Sequence, residues 1–243
     1  MPKQAKIAAF LFCLSLFSAS SYAQNDTIHL TRIEKNPDQF VAAQLLSDIY
    51  QRSGLQASIS AVPPLRANQM VQGGQSDGEV ARIEAYGEKN QNLVMVTPAY
   101  FYLTTVAYSN QPISINSIED LRKYKVGIIR GIVRSEDLTK NMVNVEKVVD
   151  FKSLFLMLEA GRFDVALETE LSGSYMIKKF SLHHIKRVGT LEKHEVFNFL
   201  TQEKTLLAPK ISATINALKK SGELETLKKK YEQDFLRGNI DPS

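Results

Sequence analysis

Cysteine is almost missing from this chain. Its one occurrence, Cys13, lies inside the apolar run Ile7 to Phe17, directly behind Phe-Leu-Phe. A lipoprotein signal needs small residues before its cysteine, so lipidation is not expected there. Beyond that run no thiol remains, which excludes a disulfide scaffold, a thiol nucleophile and a thiolate metal site. A dominant charge is lacking too. Lysine and arginine number 30 against 26 acids, spread along the chain, and without Lys3 and Lys6 the net charge falls from +4 to +2. Nothing forms the basic stripe that nucleic-acid binding needs. After Phe17 no apolar run approaches the roughly 20 residues that cross a bilayer. Gly-x-Ser-x-Gly, a phosphate loop and His-Glu-x-x-His are all absent. His183 and His184 are adjacent, so a strand would point them to opposite faces. His29 and His194 lack metal-like spacing. No metal, cofactor or nucleic-acid partner is expected.

What is present begins with an export signature. Met1 to Lys6 carries two lysines, Ile7 to Phe17 is apolar, and Ser18 to Ala23 ends in Ser-Tyr-Ala before Gln24. These are the n-region, h-region and cleavage site of a secretory signal peptide. The expectation is a cleaved segment 1–23 and a periplasmic location.

The remainder reads as alternating strands and helices. Thr27 to Ile33 is a β-branched strand. Asn36-Pro37-Asp38 supplies an N-cap, a first-turn proline and a first-turn acid for a helix ended by Gly54. Ala57 to Val62 and Val80 to Ile83 are strands around a helix that starts at Pro64. The same grammar recurs at 125–179, where Ser135 is the expected N-cap of a helix to Asn141. Glu195 to Thr201 reads as a strand, and two helical patterns follow it. Such alternation predicts α/β architecture with a mainly parallel sheet. A short echo supports two similar lobes: helix end, Gly74, two residues, Asp77, strand, and again helix end, Gly161, two residues, Asp164, strand. The division expected is 24–109 plus 203–243 for one lobe and 110–202 for the other, with crossings near 107–114 and 195–203. Two crossings make a hinge.

Several stretches carry a family resemblance. They are Asn92-Leu-Val-Met-Val-Thr-Pro-Ala-Tyr100, Ile118-Glu-Asp-Leu-Arg-Lys-Tyr-Lys-Val-Gly-Ile-Ile-Arg-Gly131, Leu158-Glu-Ala-Gly-Arg-Phe-Asp-Val-Ala166, and the run from Ile215 to Tyr231. Their order and spacing resemble the family 3 bacterial extracellular solute-binding proteins, the polar-amino-acid-type receptors of ABC importers. That resemblance implies a type II periplasmic-binding-protein-like fold, two α/β lobes joined by a two-strand hinge with the ligand cleft between them. It further implies a monomer that binds a small polar, anionic or zwitterionic solute by closing, for delivery to a membrane permease. The family's two amino-acid grips are altered. Lys89 lies nearest the place of its carboxylate-binding arginine, and Thr169, flanked by Glu168 and Glu170, aligns with its ammonium-binding aspartate. The resemblance therefore supports a solute receptor more than an amino-acid receptor. A sensory protein without a transporter is a second expectation. A third is a dehydratase of this fold, similar to cyclohexadienyl dehydratases, with Glu168 or Glu170 as acid or base.

Candidate ligand residues follow from the rule that open α/β sheets bind beyond their strands' carboxyl ends. Counted from the echo glycines, Arg82 and Thr169 take equivalent places. Arg82 is a candidate carboxylate clamp, or else a partner of Glu79 or Glu84. Arg130 and Gly131 precede a helix start that favours anions, with Arg134 assisting, or they make an ordinary turn. Arg66 opens the second helix, facing the cleft or solvent. Glu168 and Glu170, offset by two on a strand, point the same way, towards a ligand ammonium or a surface ion pair. Tyr100, with Phe101 and Tyr102, is a ligand cover or a packing residue; Phe197 and Phe199 read as core.

Overall fold

The structure is a computed structural model that describes residues 27–238. The expected signal peptide lies outside the described residues. In the first lobe, β1 (Ile28–Ile33), α1 (Pro37–Arg52), β2 (Ala57–Val62), α2 (Pro64–Gln72), β3 (Gly78–Ile83) and α3 (Glu84–Lys89) follow one another. The long strand β4 (Leu93–Ser109) then leads to β5 (Val126–Ile129), α4 (Val133–Thr139), β6 (Val145–Val148), α5 (Phe151–Glu159), β7 (Val165–Thr169) and α6 (Glu170–Lys179). A second long strand, β8 (Lys186–Thr201), returns to α7 (Ala208–Ser221) and α8 (Glu223–Arg237).

Local chemistry explains the first helix well. Asn36 caps α1 by accepting from the Gln39 amide at 3.0 Å, and Pro37 stands where no intrahelical N–H is needed. Val41, Leu45, Leu46 and Ile49 then recur at helical spacing and are all fully buried. They pack with Leu30 and Val80 of the sheet and with Ile211, Ile215, Leu224 and Phe235 of α7 and α8. Each such side chain contributes roughly 1.5–3 kcal/mol by leaving water. A second core joins Leu154, Phe155 and Leu158 of α5 to Ala166 and Met176 in the other lobe.

The strand order is β2-β1-β3-β8-β4-β7-β5-β6. β1 runs parallel to β2 and β3, and β5 runs parallel to β6 and β7. These two parallel sets are joined by an antiparallel ribbon of β4 and β8, which pair from Leu93 with Thr201 to Ser109 with Lys186. The ribbon tempers the expectation of a mainly parallel sheet. It contains all of the strand expected at 195–201 and adds a turn-proximal half whose mixed, charged sequence gives little strand signal. Its stretch 102–104 with 193–195 pairs with neither parallel set.

The echo is a structural repeat. Gly74 and Gly161 both adopt positive φ, +68° and +66°, as helix-ending glycines do. The Asp77 carboxylate accepts from the His29 amide at 2.8 Å, and the Asp164 carboxylate accepts from the Lys125 amide at 2.8 Å. In each lobe the aspartate thus clips the returning strand to the start of that lobe's first strand. One expectation fails nearby. Ser135 does not cap α4: the helix begins at Val133, its N-cap position is Ile132, and the Ser135 hydroxyl is buried without a partner.

Candidate functional site

Between the lobes, three strand or helix ends and the β4–β8 ribbon converge on a partly open cavity of about 50 Å³. From the first lobe come Asn36, Asp38 and Gln39 at the start of α1, and Arg82 and Ile83 at the end of β3 with Tyr86 behind them. From the second come Ile132, Val133 and Arg134 at the start of α4, while Phe101, Leu103 and Val196 of the ribbon close the back. The walls are mainly apolar, with one guanidinium from each lobe.

Arg82 stands where the strand count placed it, lining the cleft. It is also the partner of Glu79, so the two readings of Arg82 combine. Its Nε and Nη2 donate to the two Glu79 oxygens at 3.2 and 3.0 Å, and its guanidinium lies 4.6 Å from the Tyr86 ring centre. Burial works to lower the Arg82 pKa, but the Glu79 carboxylate outweighs it and holds the guanidinium firmly charged. Tyr86 donates to Glu79 at 3.1 Å. Its own hydroxyl pKa is pushed up, first by burial and then by that carboxylate.

Arg134 is the counterpart in the second lobe and is 7% exposed. Its Nη2 donates to Glu168 at 2.6 Å, while its Nε is buried with no partner. Glu168 also accepts from the Thr169 amide at 2.8 Å. Burial pushes the Glu168 carboxyl up, and the Asp38 charge adds to this against the pull of Arg134. Thr169 caps α6 by accepting from the Ser172 amide at 3.1 Å. The hydroxyls of Thr169 and Ser172 both donate to Asp38. A carboxylate of the first lobe is therefore seated at a helix start of the second, where anions are favoured.

Other expected site residues fall elsewhere. Glu170 does not share a strand face with Glu168, because β7 ends at Thr169 and Glu170 opens α6; it is exposed and paired with Arg187. Tyr100 is a core residue, 1% exposed, whose hydroxyl donates to the Val80 carbonyl at 2.8 Å. Gly131 has a φ of +83°, and a Cβ there would stand 3.2 Å from that of Pro64. Its close approach is to the first lobe. Its amide donates to Glu136 at 3.3 Å, so the chain's own carboxylate takes that place. Arg130 and Arg66 are exposed outside the cavity wall. Lys89 spans the lobes by pairing with Asp137 at 2.6 Å.

Sequence reasoning passed over Asp38 and Gln39. The acid in the first turn of a helix has a sufficient local explanation, and nothing in the sequence brings α6 to it. The Gln39 amide donates to the Ala81 carbonyl, at the strand end that carries Arg82.

No protein family's sequence profile matches the chain. It is 25% identical over 190 residues to an uncharacterized protein of Shewanella oneidensis, covering 75% of this chain and 72% of that one. It is 25% identical over 167 residues to the amino-acid-binding protein AabA of Dichelobacter nodosus, covering 66% of each. Among solved structures, a histidine kinase sensor domain with similarity to periplasmic binding proteins matches with a TM-score of 0.75 and 18% identity, over 85% of this chain and 96% of that one. The amino acid ABC transporter substrate-binding protein AbpA of Streptococcus pneumoniae, bound to L-arginine, matches with a TM-score of 0.68 and 17% identity, over 85% and 94%. The type II periplasmic-binding fold and the resemblance to family 3 solute-binding proteins are thereby borne out.

Proposed function

We propose that this chain, built on the type II periplasmic-binding fold, binds a small polar solute in the cleft between its lobes and closes on it. The observation that carries this reading is the pair of buried guanidiniums, Arg82 from one lobe and Arg134 from the other, at a single cavity. A ligand that touches both lobes binds the closed state better than the open one, and only such a difference can drive closure. Moving the lobes from about 1:99 closed to 99:1 needs roughly 5.5 kcal/mol, within reach of a micromolar ligand at about 8 kcal/mol. The ligand is a carboxylate or a zwitterion, since guanidinium forks match carboxylates.

Bending belongs in the ribbon. We place it at 102–104 and 193–195, refining the division of 24–109 plus 203–243 against 110–202. In the same reading the mature chain is a periplasmic monomer, and the closed form delivers its solute to the permease of an ABC importer.

A thermal-shift screen of amino acids, short carboxylates and polyamines tests the binding reading. Free ligand at about 100 times its Kd adds roughly 2.7 kcal/mol to stability. One class should raise the melting temperature of the natural chain and fail to raise that of Arg82→Lys, which keeps the charge and loses the fork. If no class raises it at millimolar concentration, the solute-binding reading is wrong.

A further inference from the structure

The cavity between the two guanidiniums is only the inner end of the cleft. Ile83 and Arg134 line it and also line a neighbouring cavity of about 490 Å³. A narrow space beside Arg82 therefore meets a wide one at Arg134. Given that the cleft binds a solute at all, the two ends ask for different chemistry.

The inner end asks for an acceptor. Arg134 gives its Nη2 to Glu168, and its buried Nε has no partner among the described residues. A ligand carboxylate supplies that acceptor. The same end offers little to an ammonium. Glu79 accepts from Arg82 and Tyr86, and Glu168 accepts from Arg134 and the Thr169 amide. Asp38 accepts from the Thr169 and Ser172 hydroxyls. The buried charges balance, with Arg32, Arg82 and Arg134 against Asp38, Glu79 and Glu168. A ligand without net charge suits such a place best, and its cation belongs away from its carboxylate.

The wide end is acidic. Glu84, Asp137, Glu192 and Glu195 line it, against Arg134 and Lys193. Arg134 already holds Glu168, and Asp137 already holds Lys89. Glu192 lies 3.3 Å from His194, whose pKa is lowered to about 4 by burial and then by Arg134, so at neutral pH that ring brings no positive charge. Glu84 and Glu195 are exposed to the wide space. Ile83, Val133 and Leu138 give the cleft apolar wall between its ends.

We propose that the ligand is an ω-amino acid, with its carboxylate between Arg82 and Arg134 and its ammonium at the other end of a methylene chain, among Glu84, Glu192 and Glu195. The carboxylate accepts from the Arg134 Nε, the methylenes lie against the apolar wall, and the ammonium gives its three N–H donors to the acidic end. An α-amino acid fits less well. Its ammonium stands one carbon from its carboxylate, at the inner end, where each buried carboxylate already accepts from two groups. A plain carboxylate leaves the acids of the wide end unanswered, and a dicarboxylate is repelled by them.

Isothermal titration of the mature chain at neutral pH tests the proposal with ligands that differ only in their amino groups. ε-Aminocaproate carries the terminal amine, norleucine the α-amine, lysine both and caproate neither; γ-aminobutyrate, α-aminobutyrate, diaminobutyrate and butyrate repeat the set on a shorter chain. In at least one set the ω-amino acid should bind about tenfold or more tighter than the plain carboxylate and the α-amino acid, the effect of a hydrogen-bonded charge, and tighter than the diamino acid. Glu84→Gln combined with Glu195→Gln should weaken the ω-amino acid by about two- to fivefold per charge removed, towards the affinity of the plain carboxylate. If the double variant does not fold, the comparison of ligands on the natural chain still decides. Absence of ω-amino acid binding overturns the proposal, as does a plain carboxylate, an α-amino acid or a diamino acid that binds as tightly in both sets, or a folded double variant with unchanged affinity. If lysine or norleucine then binds instead, the solute-receptor reading survives and only the ligand class falls.

Discussion

Arg82 and Arg134 are each held by one buried carboxylate, so removing either charge leaves an acid stranded in the interior. Breaking a buried pair in this way costs about 3–5 kcal/mol. Arg82→Ala should therefore lower the melting temperature of the ligand-free chain by on the order of 10 °C, measured by calorimetry, as well as abolish ligand-induced stabilisation. A ligand-free melting temperature equal to that of the natural chain would mean that Glu79 does not depend on Arg82. His194 gives a residue-scale prediction in pH. Its folded pKa, about 4, lies below its ordinary 6.5. The unfolded chain therefore binds the proton more readily, and stability present above about pH 6.5 is lost as the pH falls towards 4. Urea unfolding of the natural chain and of His194→Gln over pH 4–7 should show a shallower acid-side loss in the variant.

At the scale of elements, the echo makes a paired prediction. Asp77 and Asp164 accept from equivalent strand-start amides, so Asp77→Ala and Asp164→Ala should destabilise by similar amounts, about 0.5–1.5 kcal/mol for an exposed hydrogen bond lost, in urea melts. Gly131→Ala tests a different contact. Its φ of +83° and the 3.2 Å approach to Pro64 oppose a side chain. An alanine there should strain the turn by about 1–2 kcal/mol and press the lobes apart, which small-angle scattering would record as a larger radius of gyration with ligand present. Elements of this kind were the legible part of the sequence. β2 has the bounds that pattern and punctuation predicted, and the alternation expected over 125–179 is present, because each of these elements is a short run between turn residues with a matching period. Three elements were not legible: β4 runs through Pro98, which breaks a strand pattern, and two others were hidden as well. α3 is too short to show a helical period, and the first half of β8 is stabilised by β4 across the ribbon rather than by its own propensity. The site divided on the same line. Arg82 and Thr169 could be counted from local glycines, whereas Asp38 acquires its role from α6, far along the chain, and Glu170 was misplaced by one residue at a strand-to-helix junction.

On the scale of the whole molecule, polar contacts span the cleft at separate points: Asp38 on Thr169 and Ser172, Lys89 on Asp137, and Lys178 on the Leu236 carbonyl. The Lys89 pair is half exposed and so worth little alone, about 0–1 kcal/mol. The Asp38 contact is buried and should dominate. Asp38→Ala should open the lobes more than Lys89→Ala does, read as the difference in radius of gyration between the two variants. The ribbon has its own consequence, in the order of assembly. β4 leaves the first lobe at 102–104 and ends at Ser109, yet its partner β8 begins only at Lys186, after the other strands and helices of the second lobe. Until β8 arrives, β3 and β4 both present unpaired edges, and these are rich in apolar residues. No lobe can finish folding first and wait for the other, because the strand that completes the first is the last to be made. A chain cut before Lys186 should remain prone to aggregation, since open apolar edges template pairing between chains. Supplying 186–238 as a separate piece should rescue it.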